Sequence, residues 1–185
     1  MDIGSFLQQY TQDPEILEEL TSNFTRKKYP KGTVLIEPFN NSKKIFFFEE
    51  GLSRIYYLKD GKDITHAFFK ENQFYNSIES TFLGKHSPYG LELIENSKVA
   101  TINYEKLEEL KEKFPILEKI QNLLIVNALH YFSERLYAVQ FQSAQDRYKI
   151  MMQDYPDILL RASLGHIASY LGITQQTLSV IRSKV

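Results

Sequence analysis

Residues Leu164 to Ser183 read LGHIASYLGITQQTLSVIRS, two short amphipathic stretches joined at Gly172. Counting this window from one, Ala168 falls at five, Gly172 at nine, Ile173 at ten, Leu178 at fifteen and Ile181 at eighteen. Each position has a mechanical reason. A small residue at five lets the second helix cross closely, and glycine at nine accepts the positive φ of the turn. The apolar residues at ten, fifteen and eighteen lock the two helices at a steep angle, while the Thr174 hydroxyl caps the second one. The pattern predicts a helix-turn-helix, whose second helix enters a DNA major groove. The plainer alternative is a helical hairpin packed for its own sake, and five matched positions in one window favour the DNA reading.

Upstream, Ile116 to about Phe141 runs without Gly or Pro. Leu117, Ile120, Leu124, Tyr131 and Ala138 recur at helical spacing, and Leu129 and Leu136 stand a heptad apart. A helix of this length spans roughly 37 Å at about 1.5 Å per residue. That exceeds what one subunit needs, so a two-fold dimer along this segment is expected, with Leu117 and Leu124 placed in the seam.

Before it, from Tyr29 to about Tyr104, the hydrophobic period is two. Val34–Ile36, Ile45–Glu49, Arg54–Leu58, Ile64–Phe69, Tyr89–Leu93 and Val99–Ile102 read as short strands, with Asp60-Gly61 a hairpin signal. Many short antiparallel strands mean a sandwich or barrel. The start of the chain is helical, with Asp13-Pro14 as cap and first turn. Arg26-Lys27-Lys28 then reads as a solvated cluster after that helix, and Glu49-Glu50 as a solvated strand end. The expected fold class is α+β, divided into a jelly-roll-like β-roll with its N-terminal helix (1–114), a dimerisation helix (115–141) and a helix-turn-helix (142–185). The last is winged-helix-like with the wing truncated, because the sequence stops at Val185.

Composition narrows the function classes. The 22 basic and 23 acidic residues leave a net charge of −1, which excludes a chain-wide polycation. Residues 140–185 nevertheless carry +2 and the rest −3, placing the basic end where phosphate would be met. Zero cysteines remove disulfides, thiol nucleophiles and Cys-ligated zinc or iron–sulfur clusters. The longest aliphatic or aromatic runs, Ile45–Phe48 and Leu123–Val126, are far short of a membrane span. Asp2 and the missing basic n-region argue against a signal peptide, so a cytoplasmic location is expected. No phosphate loop, nucleophile elbow, paired-His metal motif or Cys–His pair is present, and an enzyme is not expected. Nor is a cofactor or a metal: His66, His86, His130 and His166 are scattered along the chain.

Taken together, the chain resembles the bacterial transcription regulators related to the cyclic-AMP receptor protein and FNR, the Crp/Fnr family. The resemblance is carried by Glu50-Gly51 with Arg54-Ile55-Tyr56-Tyr57, the Asp60-Gly61 hairpin, Arg147-Tyr148 with Pro156–Leu159, and Ile167–Thr174 with Thr177-Leu178-Ser179. It implies a homodimer, an effector-type β-roll and heads that bind double-stranded DNA at an inverted repeat, with RNA polymerase as a further partner. By that resemblance Gln175, Gln176 and Val180 read bases, Thr174 and Thr177 meet phosphate, and Arg182 and Lys184 lie near the backbone. An arginine common at the third position of the family's recognition helix is missing.

The effector pocket also departs from the family. Cyclic-nucleotide-binding members carry Phe-Gly-Glu and, about ten residues on, Arg-Ser or Arg-Thr. Aligned through Gly84, this chain has Asn76 for the glycine, Ser77 for the glutamate and Ser87-Pro88 for the Arg-Ser pair. Without the arginine fork and the carboxylate, useful binding of cAMP or cGMP is not expected. Phe74, Tyr75 and Tyr89 complete this degenerate pocket and read mainly as core, with an apolar ligand among them as the lesser option. The alternatives to a pocket-silent DNA regulator are a dimeric interaction protein that lost specific DNA binding and a regulator sensing a non-nucleotide small molecule.

Overall fold

The computed structural model describes residues 1–184. Val185, and with it the expectation of a truncated wing, lies outside the described residues. The chain opens with α1 (Ile3–Leu7) and α2 (Pro14–Asn23). The Asp13 carboxylate accepts the Glu15 and Ile16 N–H groups and Pro14 takes the first helical position, as the sequence predicts.

Eight strands follow: β1 (Thr25–Tyr29), β2 (Val34–Ile36), β3 (Lys44–Glu50), β4 (Ser53–Lys59), β5 (Lys62–Phe69), β6 (Phe74–Tyr75), β7 (Gly90–Leu93) and β8 (Ser97–Asn103), with α3 (Ile78–Phe82) between β6 and β7. They pair antiparallel into two four-stranded sheets, ordered β1-β8-β3-β6 and β2-β7-β4-β5. Phe46, Phe48, Tyr75 and Val99 of the first sheet meet Ile55, Ala67, Leu91 and Leu93 of the second, closing the roll. Phe47, Ala100 and Ile102 point the other way, under α1 and α2. Strand β3 is thus covered on both faces, which is why its three phenylalanines run without alternation. At the β4–β5 hairpin Asp60 and Gly61 both hold positive φ (52° and 70°), the geometry of a two-residue turn that matches strand twist.

Two sequence expectations change here. Arg26-Lys27-Lys28 is not a helix-end cluster but the middle of β1, paired with β8 from Thr25↔Thr101 to Tyr29↔Ser97. Its charges sit on an edge strand, where they discourage pairing with another chain. Glu49 is not solvated: it is 2% exposed. Its Oε1 accepts the Ile3 N–H (3.1 Å) and the Arg26 Nε–H (3.2 Å), and Lys98 Nζ stands 3.0 Å from Oε2. α1 covers this face, and its first N–H and two cations replace the water that a strand end would have.

After the roll come α4 (Tyr104–Lys113) and α5 (Ile116–Phe141), the latter at the length that its unbroken sequence predicts. One side of α5 serves its own chain. Leu117 and Ile120 are buried with Leu7, Leu20 and Phe24, and Leu124 packs partly against them. Leu117 and Leu124 are therefore misplaced in a dimer seam. The open side carries Leu123, Val126, Leu129, Leu136, Val139 and Phe141, exposed by 46 to 71%.

The chain ends in α6 (Ala144–Asp154), α7 (Ile158–Arg161), α8 (Leu164–Leu171) and α9 (Gln175–Arg182). Tyr148, Met151, Ile158, Ile167, Leu171, Leu178 and Ile181 form its core. That core is continuous with Leu52, Phe68 and Ile94 of the roll, so this helical head is seated on the second sheet. Hydrogen bonds across the seat include Thr65 N–H to Ser169 Oγ at 2.9 Å, Tyr155 Oη–H to the Phe68 carbonyl at 3.0 Å and Lys70 Nζ–H to the Asp154 carbonyl at 2.6 Å.

Candidate DNA-binding head and effector pocket

Each position singled out in the Leu164–Ser183 window has its expected mechanical setting. Ser163 caps α8 by accepting the His166 N–H. Gly172 ends α8 in the left-handed region (φ 67°, ψ 34°), and its N–H bonds back to the Ala168 and Ser169 carbonyls. Thr174 caps α9 by accepting the Thr177 N–H at 3.1 Å. Ala168 is 2% exposed beneath the crossing, and Leu178 and Ile181 are buried behind it.

The outer face of α9 is open. Gln175, Gln176, Thr177, Val180, Arg182 and Lys184 are all exposed. Gln175 and Gln176 differ in setting. A Cβ added at Gly165 would stand 3.1 Å from Gln175 Nε2, so the Gln175 amide lies back against the start of α8. The Thr174 and Thr177 hydroxyls are bonded to each other at 2.9 Å, giving them a capping role in addition to any contact with phosphate.

The positive charge of this end is partly spent inside the protein. Arg161 pairs with Glu71 (2.6 Å) and Glu95 (2.5 Å) of the roll. Arg147 donates to the Leu171 and Gln142 carbonyls. Among the described residues, Arg182 and Lys184 are the basic groups at the α9 end with no acidic partner within ion-pair distance.

The degenerate pocket divides in a way that sequence alone did not reveal. Strand alternation sends Phe74 outward, against Phe6 and Phe47 (5.3 and 4.7 Å between ring centres), and Tyr75 inward, against Phe69. Burial pushes the Tyr75 hydroxyl above the ordinary tyrosine range, helped by Glu79 nearby. Asn76 lines an apolar cavity on the outer side together with Phe74. Tyr89 lies 4.9 Å from the His66 ring and 6.1 Å from Tyr57, while Pro88 is exposed.

Ser77 and Ser87 are buried, at 1% and 0% exposure, and they converge on Glu79. Ser87 Oγ donates to Glu79 Oε2 at 2.9 Å, and Ser77 Oγ reaches the same oxygen at 3.4 Å while capping α3. Glu79 is absent from the sequence reading. The available signal was an acid two residues after a capping serine, which reads equally well as a helix-dipole residue.

Residues 26–114 match the cyclic nucleotide-binding domain family. The chain has the Crp/Fnr architecture. Similar solved structures include FixK2 from Bradyrhizobium japonicum, at 18% identity and TM-score 0.76 over 87% of this chain and 83% of that one. CooA from Carboxydothermus hydrogenoformans, a double mutant, matches at 19% identity and TM-score 0.72 over 95% and 85%. A crp/fnr-family protein from Eubacterium rectale matches at 15% and 0.71 over 95% and 83%. At these identities the likeness is one of fold. No curated protein matches by sequence. Among the described residues, no helix is long and apolar enough to cross a membrane. Nor do any three His, Asp or Glu residues gather there to hold a metal ion.

Proposed function

We propose that the chain is a homodimeric, DNA-binding transcription regulator whose nucleotide pocket has lost the chemistry for cAMP. The observation that carries this is the α8–Gly172–α9 unit. Its inner residues are committed to packing and capping, while Gln176 and Val180 stand on one exposed face of α9, with Arg182 and Lys184 exposed at its end. A recognition helix needs that division: polar side chains for base edges on one side, apolar anchors on the other.

The division into 1–114, 115–141 and 142–185 belongs to this reading. The open side of α5 is the dimer surface, since exposed apolar residues spread along one long helix face mark an interaction site. Two copies joined there would present two α9 helices to one inverted repeat. RNA polymerase is the further partner expected of such a regulator, and the absence of catalytic motifs agrees with a non-enzymatic role.

Selection from a random duplex library, followed by titration of the recovered sequences, tests the proposal. It calls for an inverted repeat with half-site centres roughly 10 bp apart. Recovery of no preferred sequence at low salt would instead favour an interaction protein that kept the fold.

A further inference from the structure

We infer that the cavity on the outer face of the first sheet, beneath α1, α2 and α5, binds a neutral apolar small molecule, and that this site, not the nucleotide pocket, receives the effector. The effector role rests on the regulator reading above; binding itself does not.

The cavity measures about 570 Å³. Protein interiors are close-packed and leave few voids larger than a water molecule, whereas small-molecule sites run to about 300–1,000 Å³. Its floor is made by Leu20, Phe24, Ile102 and Leu117, each between 2 and 8% exposed. These residues lie deep within one chain, where a second copy pairing on the surface of α5 would not reach them.

The lining sets the chemistry. Among the described residues no charged side chain contributes to it, so an ionic group would lose its water with nothing in return. The polar side chains are those of Asn76, Tyr104 and Gln121. Gln121 Oε1 accepts from Lys111 Nζ at 3.0 Å, which leaves the Gln121 amide N–H groups to donate. A hydroxyl or carbonyl at one end of an otherwise apolar molecule fits this arrangement.

The rim explains how occupancy could be felt elsewhere. Ile78 and Phe82 of α3 stand at the mouth, 57 and 45% exposed, and Leu129 of α5 faces them at 69%. α3 also carries Glu79, and Leu129 lies on the open side of α5. A ligand under this rim touches both the helix that carries Glu79 and the pairing side of α5.

The test uses the full chain and the neutral dye N-phenyl-1-naphthylamine. The expected result is saturable fluorescence enhancement at one dye per chain, displaced by dodecanol and indifferent to cAMP. Leu107→Trp, which fills the cavity from α4 and away from the open side of α5, should weaken the dye at least tenfold. Dodecanol should in turn shift the affinity for the selected duplex. If the dye failed to saturate, or ignored both dodecanol and Leu107→Trp, the site would be overturned. Dye binding seen only in a monomeric Leu129→Lys protein would also overturn it, because a second copy would then occupy the space. Dye binding without duplex binding would keep the site and remove its effector role, whereas duplex binding without dye binding would spare the regulator reading and remove the site.

Discussion

Ser87 Oγ donates a 2.9 Å hydrogen bond to Glu79 Oε2, so a carboxylate of the chain itself sits beside the residue aligned with the family's phosphate-binding arginine. An incoming phosphate would meet a like charge rather than a guanidinium. Two unit charges about 4 Å apart near a protein surface repel by roughly 4 kcal/mol. Calorimetry should therefore show no saturable cAMP binding at about tens of micromolar. Ser87→Arg alone should not restore it, because Glu79 would pair with the new arginine. A micromolar isotherm for the unmodified protein would remove this account of the pocket.

The dimer prediction follows from which side of α5 is open. Leu129→Lys places a charge on the exposed side and should give a monomer by light scattering with the strand circular dichroism intact. Leu117→Lys places one in the core beside Ile120 and should instead lower stability by about 3 kcal/mol or more, as an unpaired charge in a core does. A wild-type monomer at micromolar concentration would contradict the pairing.

Glu49 supplies a pH dependence. Burial works against its charge, but the Ile3 N–H, Lys98 and Arg26 hold the carboxyl below the ordinary glutamate range. A depressed carboxyl contributes stability that is complete above the unfolded value of about 4.3 and is lost as pH falls through the folded one. Glu49→Gln should be less stable by about 1–3 kcal/mol at neutral pH, and the gap should narrow in urea melts near pH 3. A gap that stayed constant with pH would exclude the charge as its source.

Arg161 holds the head to the roll through Glu71 and Glu95. Arg161→Met should loosen that seat. The Thr65 amide, bonded across the same interface to Ser169, reports it directly. Its hydrogen exchange should accelerate roughly tenfold, equivalent to about 1.4 kcal/mol. Unchanged exchange at Thr65 would mean that the apolar seat of Phe68 and Tyr155 suffices.

Much of the fold was legible because its signals are local. The Gly172 turn, the Asp60-Gly61 hairpin, the Asp13-Pro14 cap and the unbroken run from Ile116 to Phe141 each follow from residues adjacent in the chain. What was not legible depends on distant partners. β1 is a strand because β8 pairs with it, and nothing within Arg26-Lys27-Lys28 says so. Glu49 is buried because α1, nearly fifty residues earlier, folds over it. The inward side of α5 could not be told from the outward side while both were apolar. At the pocket, the loss of the cassette residues was plain, but the convergence of Ser77 and Ser87 on Glu79 required the turn of α3.

The central claim, that α9 reads DNA, is tested most directly by anisotropy titration of two variants against the selected duplex and a random one. Gln176 stands on the open face in the first turn of α9, and Arg182 about two turns on, in its last. Gln176→Ala should cost about 1–3 kcal/mol on the selected duplex and little on random DNA. Arg182→Ala should weaken both alike and reduce the salt slope by about one unit. If Gln176→Ala weakened both duplexes equally, or if the unmodified protein bound neither at low salt, α9 would not be a reader of base sequence.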